Sequence, residues 1–473
     1  MLTERSLDTH PPVHKTYTRG THRTLAPGMT LQRLQALLPA LGITRLANIT
    51  GLDVLGLPVV MACRPLSRSL AVSQGKGLDL PAAKVSAIME SIEAHHAERI
   101  DAPLRYASYI ELSRAYPVVD VSRLPQSAEQ GFQPEQPMLW LQGCDLFSAA
   151  ELWLPFELVS TDYTVPVPPG SGCFAANTNG LAAGNHFLEA AAHACYELIE
   201  RDAISLWRLR GDDALTNTGL DLQTVDDDNC LALLEQFERA QIDLRVWDVT
   251  SDTGVAVFNC LALDRDAERC DPEFGAGCHP NPAVALLRAL TEAAQARATF
   301  IAGARDDFTL QHYAPTERAR RRRECRRWFA AHRPCRDFRA LAWQDGETLN
   351  EDLHWTAQQL AAVGIEQLIA VDLTQPAFGI PVVKMVIPGL EGAYEGTGSD
   401  YVPGLTEAGA GWWIEPGADA LEQALRTAMR LPEAELQRMG RNGRQWIERD
   451  FSWPVIGRKW QAVYENLVAA GDR

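Results

Sequence analysis

Residues 184–202 carry Glu189, Glu197 and Glu200, with no glycine or proline after the opening Gly184. A helix advances about 100° per residue, so the three carboxylates fall within roughly 80° of arc. Residues 86–93 repeat the theme, with Ser86, Glu90 and Glu93 on one face at spacings of four and three. Like charges so spaced destabilise an isolated helix, so the fold must bring positive charge to them. Oxygen-rich clusters suit magnesium, which commonly accompanies nucleotide phosphates. The plainer alternative is an acidic helix edge in water, since Val85, Ile88, Met89 and Ile92 form an apolar stripe beside Glu90 and Glu93. Phe187, Ala191, Ala194 and Leu198 do the same in the second window. Solvated faces usually interleave lysine and arginine. Here the neighbours are Ser86, Ala97 and His193, which favours a metal–nucleotide role.

A third helix is expected over residues 280–303, with Arg288, Glu292 and Gln295 at spacings of four and three and Arg297 two further on. Arginine forks bind phosphate oxygens bidentately, and Arg201 beside Glu200 offers another. The alternative for these arginines is structural ion pairing with the glutamates. Gly75-Lys76-Gly77 reads as part of a plain turn over 73–77, because G-x-x-x-x-G-K-[ST] is not matched. The basic stretch 318–327 reads as a solvated helix or a dock for an acidic peptide or partner. Ten cysteines are scattered without a C-x-x-C pair, which argues for small buried thiols. Cys270 and Cys278-His279 are placed in a glycine-rich loop.

Strand-like runs at 58–63, 242–249, 255–262, 367–372 and 382–387 mix with these helices without strict alternation, which favours an α+β fold. Residues 1–25 are expected to be a flexible N-terminus, 26–404 the body, and 405–473 a helical appendage with dense tryptophans (412, 413, 446, 453 and 460). A net charge of −17 argues against nonspecific nucleic-acid or membrane binding. No apolar run is long enough to span a bilayer and no signal-peptide core appears. A cytoplasmic location is expected.

At these residues the chain resembles the YcaO family of ATP-dependent enzymes that activate peptide backbone amides, over about residues 20–404. S-x-x-x-E-x-x-E matches Ser86, Glu90 and Glu93. G-N-x-x-x-E-A…E-x-x-E-R matches Gly184, Asn185, Glu189, Ala190, Glu197, Glu200 and Arg201, and Q-x-R matches Gln295 and Arg297. The resemblance implies an α+β YcaO-like fold and an ATP site. Glu90, Glu93, Glu189, Glu197 and Glu200 would bind Mg2+. Ser86, Asn185, Glu90, Glu189, Arg201 and Arg297 would contact the nucleotide, and Arg201, Arg297 and Gln295 would serve catalysis. It further implies a peptide or protein substrate and a homodimer.

Residues 62–77, 275–280 and 388–392 look like the branch whose genes accompany a TfuA-type partner. The azoline-forming members typically end in a proline-rich PxPxP tail, whereas this chain ends 465-ENLVAAGDR-473. No leader-binding domain precedes residue 20, so substrate capture is expected to need a partner. Residues 411–464 look like the end of a GT-B glycosyltransferase without its sugar-nucleotide core, hence an appendage rather than a second activity. The implied chemistry is nucleophilic addition to an amide carbonyl, phosphorylation of the oxyanion by ATP, and loss of phosphate. Sulfide would yield a thioamide, the first expectation, with a TfuA-like protein as partner. A neighbouring Cys, Ser or Thr would yield an azoline. A nucleotide-binding scaffold without turnover is the alternative from another class.

Overall fold

The structure, a computed structural model, describes residues 10–126, 131–266, 269–390 and single positions between 426 and 444. The chain divides into two compact units, Met1–Ala393 and Tyr394–Arg473. The first unit opens with α1 (Pro27–Gln35), β1 (Arg45–Asn48), β2 (Val59–Cys63), β3 (Val72–Lys76) and α2 (Leu80–Ala97). It continues through β4 (Arg105–Ala107), α3 (Tyr109–Ser113), β5 (Met138–Asp145), β6 (Glu151–Pro155), β7 (Leu181–Ala183) and α4 (Phe187–Leu209). Next come α5 (Asp212–Asn217), β8 (Gly219–Asp221), α6 (Asp228–Arg239), β9 (Ile242–Asp248), β10 (Val257–Asp264), β11 (Glu273–Cys278) and α7 (Pro282–Ala302). It closes with α8 (Pro315–Ala331), β12 (Pro334–Asp337), α9 (Leu349–Ala362), β13 (Ile369–Asp372) and β14 (Val382–Val386).

Among the described residues the strands form three sheets, ordered β1-β2-β3, β11-β10-β9-β8-β12 and β4-β5-β13-β14-β7, with β6 also on β5. All pairs are antiparallel except β12 with β8. The mixture of segregated sheets and helices is the expected α+β arrangement. Helix α2 packs on β2 and β3, α7 on β10 and β11, and α4 on β14, β7 and β11. The third sheet and α2 share one apolar core, which includes Ile88, Ile92, Trp140, Leu141 and Val382. Helix α4 anchors a second with Ile199, Trp247, Leu353 and Met385. No helix among the described residues is long and apolar enough to cross a membrane.

Two segments expected as glycine turns are strands instead. Residues 73–76 belong to β3 and 275–278 to β11. The glycines serve close packing rather than chain reversal. A Cβ on Gly75 would lie 2.1 Å from the Ala87 nitrogen of α2, and one on Gly275 would lie 2.2 Å from the Ala289 oxygen of α7. Neither distance is tolerable, so only glycine lets these helices lie so low on their strands.

The N-terminus corrects a larger expectation. Residues 10–25 are not loose. Lys15 Nζ lies 2.7 Å from Asp352 of α9, the Val13 N–H donates to Asn350 at 2.9 Å, and Tyr17 pairs with Arg23 across a β-bridge. The segment is held because its cation meets a buried aspartate whose charge would otherwise be uncompensated. The basic stretch forms α8, and much of its charge is answered internally. Arg318 and Arg322 both bind Asp271, and Arg321 binds Glu273. The boundary near 405 and the tail tryptophans lie outside the described residues. The helical positions described in the second unit include 437–439, 441 and 442.

Candidate active site

Helices α2, α4 and α7 bring their acidic faces together. Asp79 caps α2 by accepting from the Ala82 N–H, and Pro81 sits in its first turn, where no backbone donor is needed. Glu90 then accepts the Gln74 N–H of β3 at 3.1 Å, and Glu93 accepts the Ala183 N–H of β7 at 2.7 Å. On α4, Glu197 accepts from the Gly180 N–H at 3.1 Å. Glu200 is 2% exposed and sits 3.9 Å from Arg201, which also lies 3.6 Å from Glu197. From α7, Glu292 pairs with Lys76 Nζ at 2.7 Å.

Glu189, in the first turn of α4, is oriented from several sides. It accepts from the Thr24 N–H (2.9 Å), the Thr24 hydroxyl (2.8 Å) and both nitrogens of Asn185 (3.2 Å). The Arg23 guanidinium stands 3.7 Å away. The Asn185 side-chain carbonyl in turn accepts from Thr30.

Burial dominates the electrostatics. It pushes Glu90 up to about 7, partly offset by the Gln74 N–H. Burial also raises Glu200 to about 7 against the pull of Arg201. Glu93 rises well above the ordinary range, because Glu90 and Glu197 add repulsion to burial. Burial works the same way on Glu292, but Lys76 and Arg201 outweigh it and hold that carboxyl low. Arg201 stays firmly cationic, since Glu200, Glu197 and Glu292 overcome its own burial. The cluster therefore holds more carboxylate than its cations neutralise. Buried, unpartnered Nε–H groups of Arg201 and Arg288 stand beside it.

Comparison with known proteins decides the family. The family described as YcaO cyclodehydratase, ATP- and Mg2+-binding, matches residues 74–391. The chain belongs to the YcaO family. An uncharacterized protein in the tfuA 3′ region of Rhizobium leguminosarum bv. trifolii is 35% identical over 377 residues, covering 78% of this chain and 88% of that one. A Methanothermobacter thermautotrophicus protein is 35% identical over 390 residues, covering 78% and 95%. Among solved structures, YcaO from Methanopyrus kandleri bound with AMPPCP and Mg2+ superposes with a TM-score of 0.64 at 23% identity, covering 80% of this chain and 95% of that one. A heterocyclase in complex with substrate and cofactor gives 0.65 at 22%, covering 81% of this chain. The present chain spans about half of that heterocyclase (54%).

The residues present fit the ATP and Mg2+ of the YcaO family. Clustered, backbone-held glutamates suit a divalent cation, and arginine donors without partners suit phosphate oxygens. Of the residues singled out by sequence, Glu90, Glu93, Glu197, Glu200 and Arg201 converge. Glu189 and Asn185 form an adjoining pair. Ser86 shares the face of Glu90, its backbone pressed against Gly75. Gln295 reaches the Gln74 carbonyl at 3.4 Å, behind β3.

Arg297 departs from expectation. It is fully buried, and its Nε and one Nη donate to the two Asp53 carboxylate oxygens at 2.9 and 2.8 Å. The same Nη donates to Asp264 at 3.0 Å. Five residues beyond Glu292, it points about 140° away around the helix. The structure makes it a strut between α7, β10 and the Asp53 turn. Sequence reasoning gave no site role to Lys76, Thr24 or Arg23, which arrive from a strand and from the N-terminal segment. Glu292 was visible by its spacing of four from Arg288, a candidate phosphate ligand, but was left without a role. Lys384 of β14 was also missed. Its Nζ donates to the Asn177 carbonyl at 2.7 Å and burial lowers it to about 8.

Proposed function

We propose that this YcaO protein activates a peptide backbone amide by ATP-dependent O-phosphorylation and converts it to a thioamide with a TfuA-like partner. The carrying observation is the glutamate cluster, buried at Glu200, half-buried elsewhere and under-neutralised until a cation arrives. In this reading Glu90, Glu93, Glu197 and Glu200 hold the metal, joined by Glu292, while Glu189 and Asn185 orient the adjoining wall. Ser86, Arg201 and Arg288 face the nucleotide, and Gln295 and Arg297 support that wall from behind. Magnesium would neutralise charge developing on the transferred phosphoryl group. Arg201 is kept cationic by its glutamates and is poised to do the same for an equatorial oxygen.

The nucleophile adds to the carbonyl carbon. The resulting oxyanion attacks the γ-phosphorus of ATP and ADP leaves. The C–O bond then breaks and phosphate carries away the former amide oxygen. The relative in the tfuA 3′ region supports sulfide as nucleophile and a second protein as helper. The same reading takes the substrate as a cytoplasmic peptide or protein and the enzyme as a homodimer. The family's description as a cyclodehydratase favours azoline formation as the second reading.

Intact mass of a candidate precursor peptide, incubated with ATP, Mg2+, sulfide and the TfuA-like protein, tests the proposal. A gain of about 16 Da is expected for oxygen replaced by sulfur. A loss of about 18 Da would replace thioamidation with cyclodehydration while keeping the phosphorylation route. Tight ATP binding with an unchanged peptide would favour a scaffold.

A further inference from the structure

Amide activation leaves a proton to be removed, and in the reading above the clustered glutamates are committed to metal. Beside them lies a pocket bounded by Arg23, Glu189, His193, Tyr196, His279 and Arg288, with His22 at its wall. Three imidazoles line it, and local geometry settles the state of two. His193 Nδ1 accepts from the Arg288 guanidinium at 2.8 Å, and His279 Nδ1 accepts from the Asn281 N–H at 3.0 Å. A neutral imidazole has one acceptor nitrogen. Each of these rings therefore carries its proton on Nε2 and can accept no other.

His22 differs. It is 5% exposed, and its Nδ1 is buried without a hydrogen-bond partner, 3.6 Å from Asp352 Oδ2. Its Nε2 lies 3.8 Å from Asp345 Oδ1. Lys15 pins both aspartates, at 2.7 and 3.0 Å, and the His279 ring stands edge-on to His22 at 4.7 Å. An imidazole between two fixed carboxylates is oriented by them.

We propose that His22, oriented by Asp352, is the base that removes the nucleophile's proton. The inference rests on the amide-activation reading above. Hydrosulfide addition leaves an S–H on the tetrahedral carbon, whose oxygen then becomes phosphorylated. On collapse the C–O bond breaks, phosphate departs, the C=S bond forms, and the S–H proton passes to His22. No electrons are exchanged with an outside carrier. A Cys, Ser or Thr nucleophile would give up its own proton to the same ring. His22, His279 and Asp352 also place donor atoms within 4.8 Å of one another, as a metal site would. The His279 Nδ1 lone pair is already engaged by the Asn281 N–H, however, which leaves that trio one ligand short.

The test uses full-length H22Q, H22A and D352N with the peptide that the wild type modifies. Both His22 variants should lose about 100-fold or more in product rate. They should bind AMPPNP with Mg2+ within about threefold of wild type, because a base that only moves a proton in the chemical step leaves nucleotide affinity unchanged. Added imidazole should restore part of the H22A rate, a gain that a structural role would not show. D352N should lose product rate as well. H22Q turning over near the wild-type rate would overturn the proposal, as would equal loss of nucleotide binding, or stoichiometric zinc in the wild type that H22Q lacks. Should H22A not fold, H22Q decides. A wild type that binds ATP but modifies no peptide would sink the amide-activation reading and this proposal together. Modified peptide with an unaffected H22Q sinks this proposal alone.

Discussion

At the scale of single residues, Glu200 and Glu90 each sit between burial, which favours the neutral acid, and a cation that would favour the anion. Both have an ordinary value of 4.5 and are raised to about 7 in the metal-free protein. The folded state therefore holds protons that the unfolded chain releases. The stability these groups contribute is complete below about pH 4.5 and fades as pH rises toward 7. Thermal melts in EDTA should fall across that range, and Mg2+ with ATP should narrow the loss. Calorimetry near pH 6.5 in buffers of different ionisation enthalpy should show proton release as metal binds. A melting temperature that rises with pH in EDTA would contradict the assignment. The E200Q variant should fold and lose at least about 100-fold in product formation. Unchanged turnover would remove Glu200 from the metal role. Arg297 makes the opposite prediction. R297M strips Asp53 of its cation and leaves Asp264 only Arg269 at 3.8 Å, and should cost about 3–5 kcal/mol in denaturant unfolding, with nucleotide affinity of the folded fraction little changed.

At the scale of elements, β3–α2 and β11–α7 are built alike. Each strand carries a Gly-x-Gly, inside β11 and running one residue past the end of β3, each helix opens on a side-chain cap (Asp79 or Asn281) with proline in its first turn, and each sends a glutamate back to a strand N–H. Glu90 reaches Gln74 at 3.1 Å and Glu292 reaches Ala276 at 3.4 Å. This likeness explains why Glu292 belongs with Glu90. It was legible in the spacing of Arg288 and Glu292, but not in the glycines, because a glycine in isolation signals a turn. G75A would place a methyl against the α2 backbone. A loss of about 1–3 kcal/mol or more is expected, read as an earlier urea midpoint, together with weaker Mg2+–ATP binding as Glu90 is displaced. The basic helix α8 had two sequence readings, solvation or an acidic partner. Asp271 and Glu273 answer several of its arginines from within the first unit. That pairing joins residues far apart in the chain and leaves no local periodic trace.

At the scale of the whole molecule, the site is assembled from the N-terminal segment, β3, α2, α4 and α7, all inside the Met1–Ala393 unit. Ending the chain after Gly404 should therefore leave Mg2+–ATP affinity intact, measured by calorimetry, whatever happens to partner binding. Removing residues 1–25 should do the reverse, because Thr24 and Arg23 orient Glu189. What the sequence determined by itself was local: which residues are helical, which carboxylates share a face, and, through three spaced motifs, the family. Helical periodicity acts over three or four residues, so it can be read from order alone. Only tertiary structure decided which cations meet those carboxylates, that Arg297 is a strut, that two glycine turns are strands, and that the N-terminus closes the site. Each of these depends on burial and on steric contact between residues distant in the chain. Desolvation, which sets the charge of the glutamates, exists only once the surrounding elements have packed.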